Sequence, residues 1–207
     1  MSCEVEFNQE FAKVGQAVPE FTMETFDPTE GFFGKVDLGQ LRKDGKWVIL
    51  FFYPADFTFV CPTELADLAE KHQVLKDLGA EVISVSTDTQ YSHMAWRREE
   101  KLLENVQYTM AADPTGEVSR FFDVYDEETG LALRGTFVIN PEGVLSSSEI
   151  NFYNVGRNAD ELVRKLEANV HLRANPNEVC PAKWTPGEKT LTPDEKMVGH
   201  VWEALND

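Results

Sequence analysis

The side chains in this chain best suited to chemistry fall in one stretch, Pro54-Ala55-Asp56-Phe57-Thr58-Phe59-Val60-Cys61-Pro62-Thr63-Glu64. Cys61 is its nucleophile candidate, and its neighbours define its setting. Trp47 to Tyr53 is an unbroken run of apolar and aromatic residues. It is too short for a membrane span and lacks helical periodicity, so it reads as a strand buried on both faces. Pro54 stops that strand. After a short polar break, Cys61-Pro62-Thr63-Glu64 opens a helix. Pro62 suits the first helical position, where a missing N–H costs nothing. Glu64 puts negative charge in the first turn, where it is favoured. Leu65, Leu68, Ala69, His72 and Leu75 then recur at helical spacing. A sulfur at such a helix mouth meets unpaired backbone N–H groups, which favour a thiolate, the reactive form of cysteine. Without that context, a single Cys after an apolar run is a buried core residue.

The elements that must position this stretch follow in order. Residues 1–20 are an irregular lead-in, and Val18 to Met23 alternates toward a short strand. Gly31 to Gly39 suggests a hairpin, and Leu38 to Arg42 a short turn or helix. Behind the Cys61 helix, Gly79 takes the capping role at its C-terminus. Glu81 to Ser86 reads as a second apolar strand, Ser92 to Leu103 as a helix and Tyr108 to Ala112 as a strand. Glu117 to Tyr125 reads as a helix. Arg134 to Ile139 and Val144 to Phe152 form a hairpin through Asn140-Pro141-Glu142-Gly143. Asn158-Ala159-Asp160 caps a helix to about Val170. From Leu172 the composition changes to Asn, Pro, Gly, Lys and Trp without periodicity, and a last amphipathic turn, Pro193 to Leu205, is capped by Thr192. This order is that of an α/β, thioredoxin-like fold: a central mixed sheet flanked by helices, with a C-terminal arm. The expected division is a domain over 1–171 and an arm over 172–207.

Composition narrows the function. The chain has 207 residues, 42 % of them hydrophobic and 27 % charged, enough for a proper core. Its formal net charge of −17 argues against nucleic acid and anionic membrane surfaces, both of which call for a basic patch. Met1 to Glu10 has neither the basic nor the apolar region of a signal peptide, and no apolar run approaches a spanning helix, so a cytoplasmic location is expected. Cys3, Cys61 and Cys180 do not make a disulfide scaffold, and the four His show no metal-binding spacing.

Pro54-x-x-x-Thr58-x-x-Cys61, within Phe51 to Glu64, resembles the active-site signature of the peroxiredoxins. The branch it resembles is the typical two-cysteine, alkyl hydroperoxide reductase C group. Ser84-Val85-Ser86-Thr87-Asp88-Thr89, His93-Met94-Ala95-Trp96, Arg134 to Ile139 and Glu178 to Trp184 extend the likeness across nearly the whole chain. Cys180, within Val179-Cys180-Pro181-Ala182-Lys183-Trp184, points to the two-cysteine branch. The resemblance implies a thiol peroxidase acting on hydrogen peroxide and organic hydroperoxides, without a cofactor. Cys61 would be the peroxidatic cysteine and Cys180 the resolving one. Thr58 would contact the thiolate and hand a hydrogen bond to the peroxide. Pro54 would shield the sulfur from water. Arg134 would stabilise the thiolate and polarise the peroxide, and Glu64 would hold the arginines. The resemblance also implies an intersubunit disulfide, a homodimer assembling to a decamer, and reduction by thioredoxin or a dedicated flavoprotein. Two segments of peroxide-sensitive relatives, Gly-Gly-Leu-Gly and a C-terminal Tyr-Phe pair, are missing, which implies a robust enzyme.

The chemistry fits those roles. A guanidinium offers fixed donors to charge building on a departing oxygen, a hydroxyl can donate and accept at once, and a sulfenic acid condenses with a second thiol. Taken singly, Thr58 is a loop or cap hydroxyl, Pro54 a strand terminator and Arg134 a surface charge. His93 and Trp96 read as packing, and Cys3, near a terminus, has no assigned role. A disulfide reductase of the thioredoxin type would need Cys-x-x-Cys, but Glu64 stands at the second position. A holdase chaperone or redox-sensing scaffold stays open as a second activity.

Overall fold

The structure, a computed structural model, describes residues 11–206, so Cys3 and the first half of the lead-in lie outside the described residues. Two compact units divide the chain, one ending at Ala159 and the other running from Asp160.

The first unit is built on a mixed sheet. Its elements are β1 (Thr22–Asp27), β2 (Phe32–Asp37), α1 (Leu38–Lys43), β3 (Trp47–Phe52), α2 (Cys61–Asp77), β4 (Ala80–Ser86), α3 (Gln90–Glu99), β5 (Thr109–Ala112), α4 (Glu117–Phe121), β6 (Tyr125–Asp126), β7 (Leu131–Ala132), β8 (Arg134–Ile139) and β9 (Leu145–Asn151). Seven of the strands among the described residues join in the order β2-β1-β5-β4-β3-β8-β9, and β6 pairs with β7 apart from them. β3, β4 and β5 run parallel, and the remaining pairings of the large sheet are antiparallel.

Every residue of β3 is buried, as its unbroken apolar run requires. Burial of such side chains is worth roughly 1.5–3 kcal/mol each. Alternation splits them between two faces. Val48, Leu50 and Phe52 share a cluster with Ile83, Val85, Phe137 and Ile139, closed by Phe121 and Phe122 at the end of α4. Phe122 stands at the centre of this aromatic group, its ring 5.5 Å from Phe52, 5.2 Å from Phe121 and 4.7 Å from Phe137, and Phe52 lies 5.6 Å from Phe137. Ile49, Phe51 and Tyr53 point to the opposite face. There α2 packs on β4, and α3 packs on β1 and β5. The buried Leu65, Leu68 and Leu75 form the inner stripe of α2. Gly79, at φ 84°, supplies the left-handed residue just past that helix.

Several element boundaries differ from those expected. The first strand starts at Thr22, not Val18. The helix from Glu117 ends at Phe121, because Asp123 turns the chain at φ 55° and Tyr125–Asp126 leaves to pair with Leu131–Ala132. That two-residue pairing is too short to leave a periodic trace in the sequence.

The second unit holds most of α5, Ala159–Ala174, which begins at its boundary. A bridge between Val179 and Leu191 then closes a loop around Cys180 and the buried Trp184. The Trp184 ring lies 4.9 Å from His171, and its indole N–H donates to the Glu188 carbonyl at 3.0 Å. A short turn at Glu195–Met197 is capped by Asp194, two residues beyond the expected Thr192, and α6 (Val201–Asn206) follows with no buried residue.

Gly135 is needed for close packing at the edge of the aromatic cluster. A Cβ there would meet Phe137 at 2.7 Å and Val124 at 2.8 Å. Gly135→Ala is therefore expected to cost about 1–3 kcal/mol, the range for overpacking a core, read as a lowered midpoint in urea unfolding. An unchanged midpoint would show that the aromatic cluster yields freely.

Candidate active site

Strand pairing explains how Arg134 reaches Cys61 across 73 residues. Phe51 of β3 stands opposite Thr136 of the antiparallel β8. Arg134 lies two residues before Thr136, hence on the same face and just past the end of β3. The carboxyl ends of strands in open α/β sheets are where ligands characteristically bind. The chain leaves β3, turns through Pro54 to Val60, and starts α2 with Cys61 at its first position and Pro62 at its second. No side chain caps this helix start.

Cys61 has no exposed surface, yet its surroundings are not only hydrocarbon. An Arg134 Nη1–H points at its sulfur from 3.4 Å. The same nitrogen donates to Glu64 Oε2 at 2.5 Å, and Arg134 Nε donates to the Tyr153 carbonyl at 2.8 Å. The guanidinium is thus fixed from two sides while it faces the sulfur.

Glu64 is the hub. One turn along α2 from Cys61, its carboxylate also receives Arg157 Nε at 2.8 Å and the Arg157 backbone N–H at 2.9 Å, both on Oε1. Arg157 Nη2 reaches Oε2 at 3.2 Å. Arg157 lies flat over the Phe51 ring, 3.4 Å from its centroid, and donates to the Gly135 carbonyl and the Thr136 hydroxyl. Burial pulls the Arg157 guanidinium below its ordinary pKa, and the bonds to Glu64 oppose that pull. The side chains of Glu64, Arg134 and Arg157 are between 1 % and 4 % exposed. Two cations and one anion in that space leave one positive charge, which a thiolate at Cys61 would neutralise. A half-buried Glu149 lies farther out in the same field.

The remaining predicted residues lie nearby or apart. Pro54 is buried at the end of β3, on the loop that delivers Cys61. Thr58 is half-buried on that loop and donates its hydroxyl proton to the Ala55 carbonyl at 2.7 Å, rather than to the sulfur. Cys180 lies in the second unit, half-buried and unpaired with another cysteine. Burial and the neighbouring Glu178 raise its thiol pKa, against the opposing pull of Arg164. Among the described residues, no cluster of three or more His, Cys, Asp or Glu side chains is placed to hold a metal ion.

Sequence reasoning missed Arg157. It lies in an irregular segment and meets Glu64 across 93 residues, so no local spacing announces it. Gly156 beside it gave no signal either: a Cβ there would sit at ordinary contact distance, 3.4 Å from Val60 and 3.6 Å from Glu64. His93 and Trp96, read as packing, are both buried.

Two family models match the chain: the AhpC/TSA family over residues 14–148, and the C-terminal domain of 1-Cys peroxiredoxin over residues 171–205. An alkyl hydroperoxide reductase C of Staphylococcus aureus is 47 % identical over 188 residues, covering 91 % of this chain and 98 % of that one. The crystal structure of Enterococcus faecalis AhpC matches with a TM-score of 0.77 at 44 % identity, covering 83 % of this chain and all of that one. A reduced Plasmodium vivax 2-Cys peroxiredoxin matches with a TM-score of 0.84 at 31 % identity, over 91 % of this chain and 98 % of that one.

Replacing the hub tests the charge arrangement. Glu64→Gln keeps the shape but leaves two buried guanidinium groups without their shared anion. The expected loss is roughly 3–5 kcal/mol, the range for breaking a buried ion pair, with a lowered thermal midpoint. A variant as stable as the parent would show that the arginines find other acceptors.

Proposed function

The chain belongs to the AhpC/TSA family, and from that premise we propose that it is a thiol-dependent peroxidase in which Cys61 attacks the peroxide. The observation that carries this reading is the Arg134 guanidinium 3.4 Å from the Cys61 sulfur, anchored by Glu64. Substrates are hydrogen peroxide and organic hydroperoxides, and the role is antioxidant defence and redox homeostasis.

The Cys61 thiolate attacks the terminal oxygen of ROOH. An S–O bond forms and the O–O bond breaks. The departing RO⁻ takes a proton, giving ROH and a sulfenic acid at Cys61. Negative charge moves from sulfur toward the leaving oxygen during this step. A fixed guanidinium beside the sulfur can follow that charge without reorganising, which is where electrostatic catalysis acts. Thr58 is read as the hydroxyl that meets the peroxide, exchanging its bond to Ala55 for one to substrate. Pro54 closes the site against water, and Glu64 with Arg157 holds Arg134 in place.

Cys180, on the arm we assign to residues 172–207 beyond a peroxidase domain of 1–171, then attacks the sulfenic sulfur. A disulfide forms and water leaves, with the sulfenic oxygen carrying off the Cys180 proton. The partner thiol comes from a second copy in a homodimer, itself part of a decamer. Thioredoxin or a flavoprotein disulfide reductase restores both thiols, and the setting is the cytoplasm. Among the described residues no helix is long and apolar enough to cross a membrane. The family match on the arm carries the name of one-cysteine enzymes, which favours a second reading in which an external thiol, not Cys180, resolves the sulfenic acid.

Stopped-flow peroxide consumption and a non-reducing gel separate these readings. Cys61→Ser should abolish the reaction. Cys180→Ser should retain the first turnover and lose the disulfide-linked dimer. Cys180→Ser cycling normally with its reductant would leave the one-cysteine reading standing.

The raised Cys180 pKa adds a pH expectation. A raised value keeps the thiol protonated to higher pH, so disulfide formation after a peroxide pulse should accelerate as pH rises through and above the ordinary thiol range. Glu178→Gln removes one of the charges that raise it, and should shift that acceleration to lower pH. Resolution independent of pH, or unmoved by Glu178→Gln, would mean that Cys180 ionisation does not limit the step.

A further inference from the structure

A second buried polar cluster lies under the loop that leads to Cys61, and the mechanism above makes no use of it. His93 of α3 has no exposed surface. Its Nδ1 lies 2.9 Å from Asp56 Oδ2 and 3.3 Å from the Tyr53 hydroxyl oxygen, and its Nε2 lies 3.1 Å from the Ala111 carbonyl of β5. The Tyr53 hydroxyl donates to Asp56 Oδ1 at 2.8 Å, so it presents lone pairs to the ring. Both ring nitrogens therefore face acceptors. A ring protonated on both satisfies them, whereas a neutral ring sets one lone pair against another. A second carboxylate close by is that of Asp88, which accepts the Asp56 backbone N–H at 2.8 Å and the Ser86 hydroxyl at 2.8 Å.

Asp56 is thus held by side chain and backbone together, from Tyr53 just past β3, from α3 and from the turn after β4. The next residue, Phe57, has a positive φ of 56°. A bulky residue in that region costs on the order of 1–3 kcal/mol and persists where its surroundings impose it. The Phe57 ring is 58 % exposed, with its centroid 6.2 Å from that of Trp96, so its own packing is a weak constraint. The firm constraint is the anchored Asp56 immediately before it. One residue further on is Thr58, whose hydroxyl is tied to Ala55, the residue on the other side of Asp56.

We propose that His93 is a positioning residue for peroxide reduction: its ring fixes Asp56 through Nδ1, and Asp56 fixes the turn that aims the Thr58 hydroxyl. The inference rests on the reading of Thr58 given above and extends it to a pair that never touches the substrate. The buried pair also supports the fold, so loss of stability alone does not distinguish a role in the reaction. A cycle with Thr58 does.

Second-order rates of peroxide reduction should be measured by stopped flow for the parent, Asp56→Asn, Thr58→Val and the double variant, with alkylation of Cys61 by iodoacetamide as a parallel readout. Misplacing a reacting group costs on the order of 10-fold to 100-fold, and each single variant should lose about that much toward peroxide while alkylation stays near the parent rate. The double variant should be no slower than Thr58→Val, since the aim of an absent hydroxyl has no further value. Multiplying losses would overturn the inference and leave the reading of Thr58 intact. Thr58→Val at the parent rate would remove that reading, and this inference with it. Should Asp56→Asn fail to fold, His93→Gln carries the same cycle.

Discussion

The structure around the sulfur depends on one carboxylate. Glu64 receives Arg134 and Arg157 together, in a site that water scarcely reaches. Each guanidinium alone would be a costly buried charge, and two without an anion would repel each other. With Glu64 between them they become a rigid plate of donors, one of which has a hydrogen left for Cys61. At about 4 Å and an effective dielectric of about 20, opposite unit charges attract by roughly 4 kcal/mol. An excess positive charge of that strength beside a sulfur favours chemistry in which the sulfur bears, and then gives up, negative charge.

The sheet exists in this form to hold that plate. Two elements supply it, β8 with Arg134 and the segment after β9 with Arg157, and both must meet a helix starting at the end of β3. The antiparallel register of β8 on β3 sets Arg134 past the strand end, and the Phe51 ring gives Arg157 a flat surface to lie on. Cation–π contact of this kind is worth on the order of 1–2 kcal/mol when desolvated. Phe52 points the other way into the aromatic core and fixes β3 against β8. Adjacent residues of one strand thus serve the site and the core by turns, a consequence of the two-residue alternation.

What the sequence made legible follows the range of the interactions. Trp47 to Tyr53, Pro54 and the Cys61 helix were readable because each rests on neighbours within a turn or a strand: apolar continuity, a proline stop, a spaced inner stripe. Arg134 opening β8 was readable as the start of a strand, but its contact with Cys61 was supplied by family resemblance. Arg157 was not readable, because its meaning lies in a carboxylate 93 residues earlier. His93 looked like packing for a similar reason. Its partners Asp56 and Ala111 come from a loop and a neighbouring strand, and single-sequence periodicity reports only that a side chain faces inward, not whether it meets carbon or a carboxylate there. The same blindness explains the missed pairing of β6 with β7.

One tension in the site follows from its packing. Cys61 is sealed in its cluster, while the proposed chemistry ends with its sulfur bonded to that of Cys180 in a second copy. The first turn of α2 must therefore be able to open. Its construction permits this. The helix begins without a side-chain cap, and Pro62 contributes no N–H to the turn. A missing cap forgoes about 1 kcal/mol, so the helix start is held chiefly by its tertiary contacts, above all those of Glu64. The group that stabilises the closed site is then also the latch on its release. In the proposed chemistry, converting a thiolate to a neutral sulfenic acid would weaken the sulfur's bond to Arg134, and the weakening would fall on a helix start that no side chain caps.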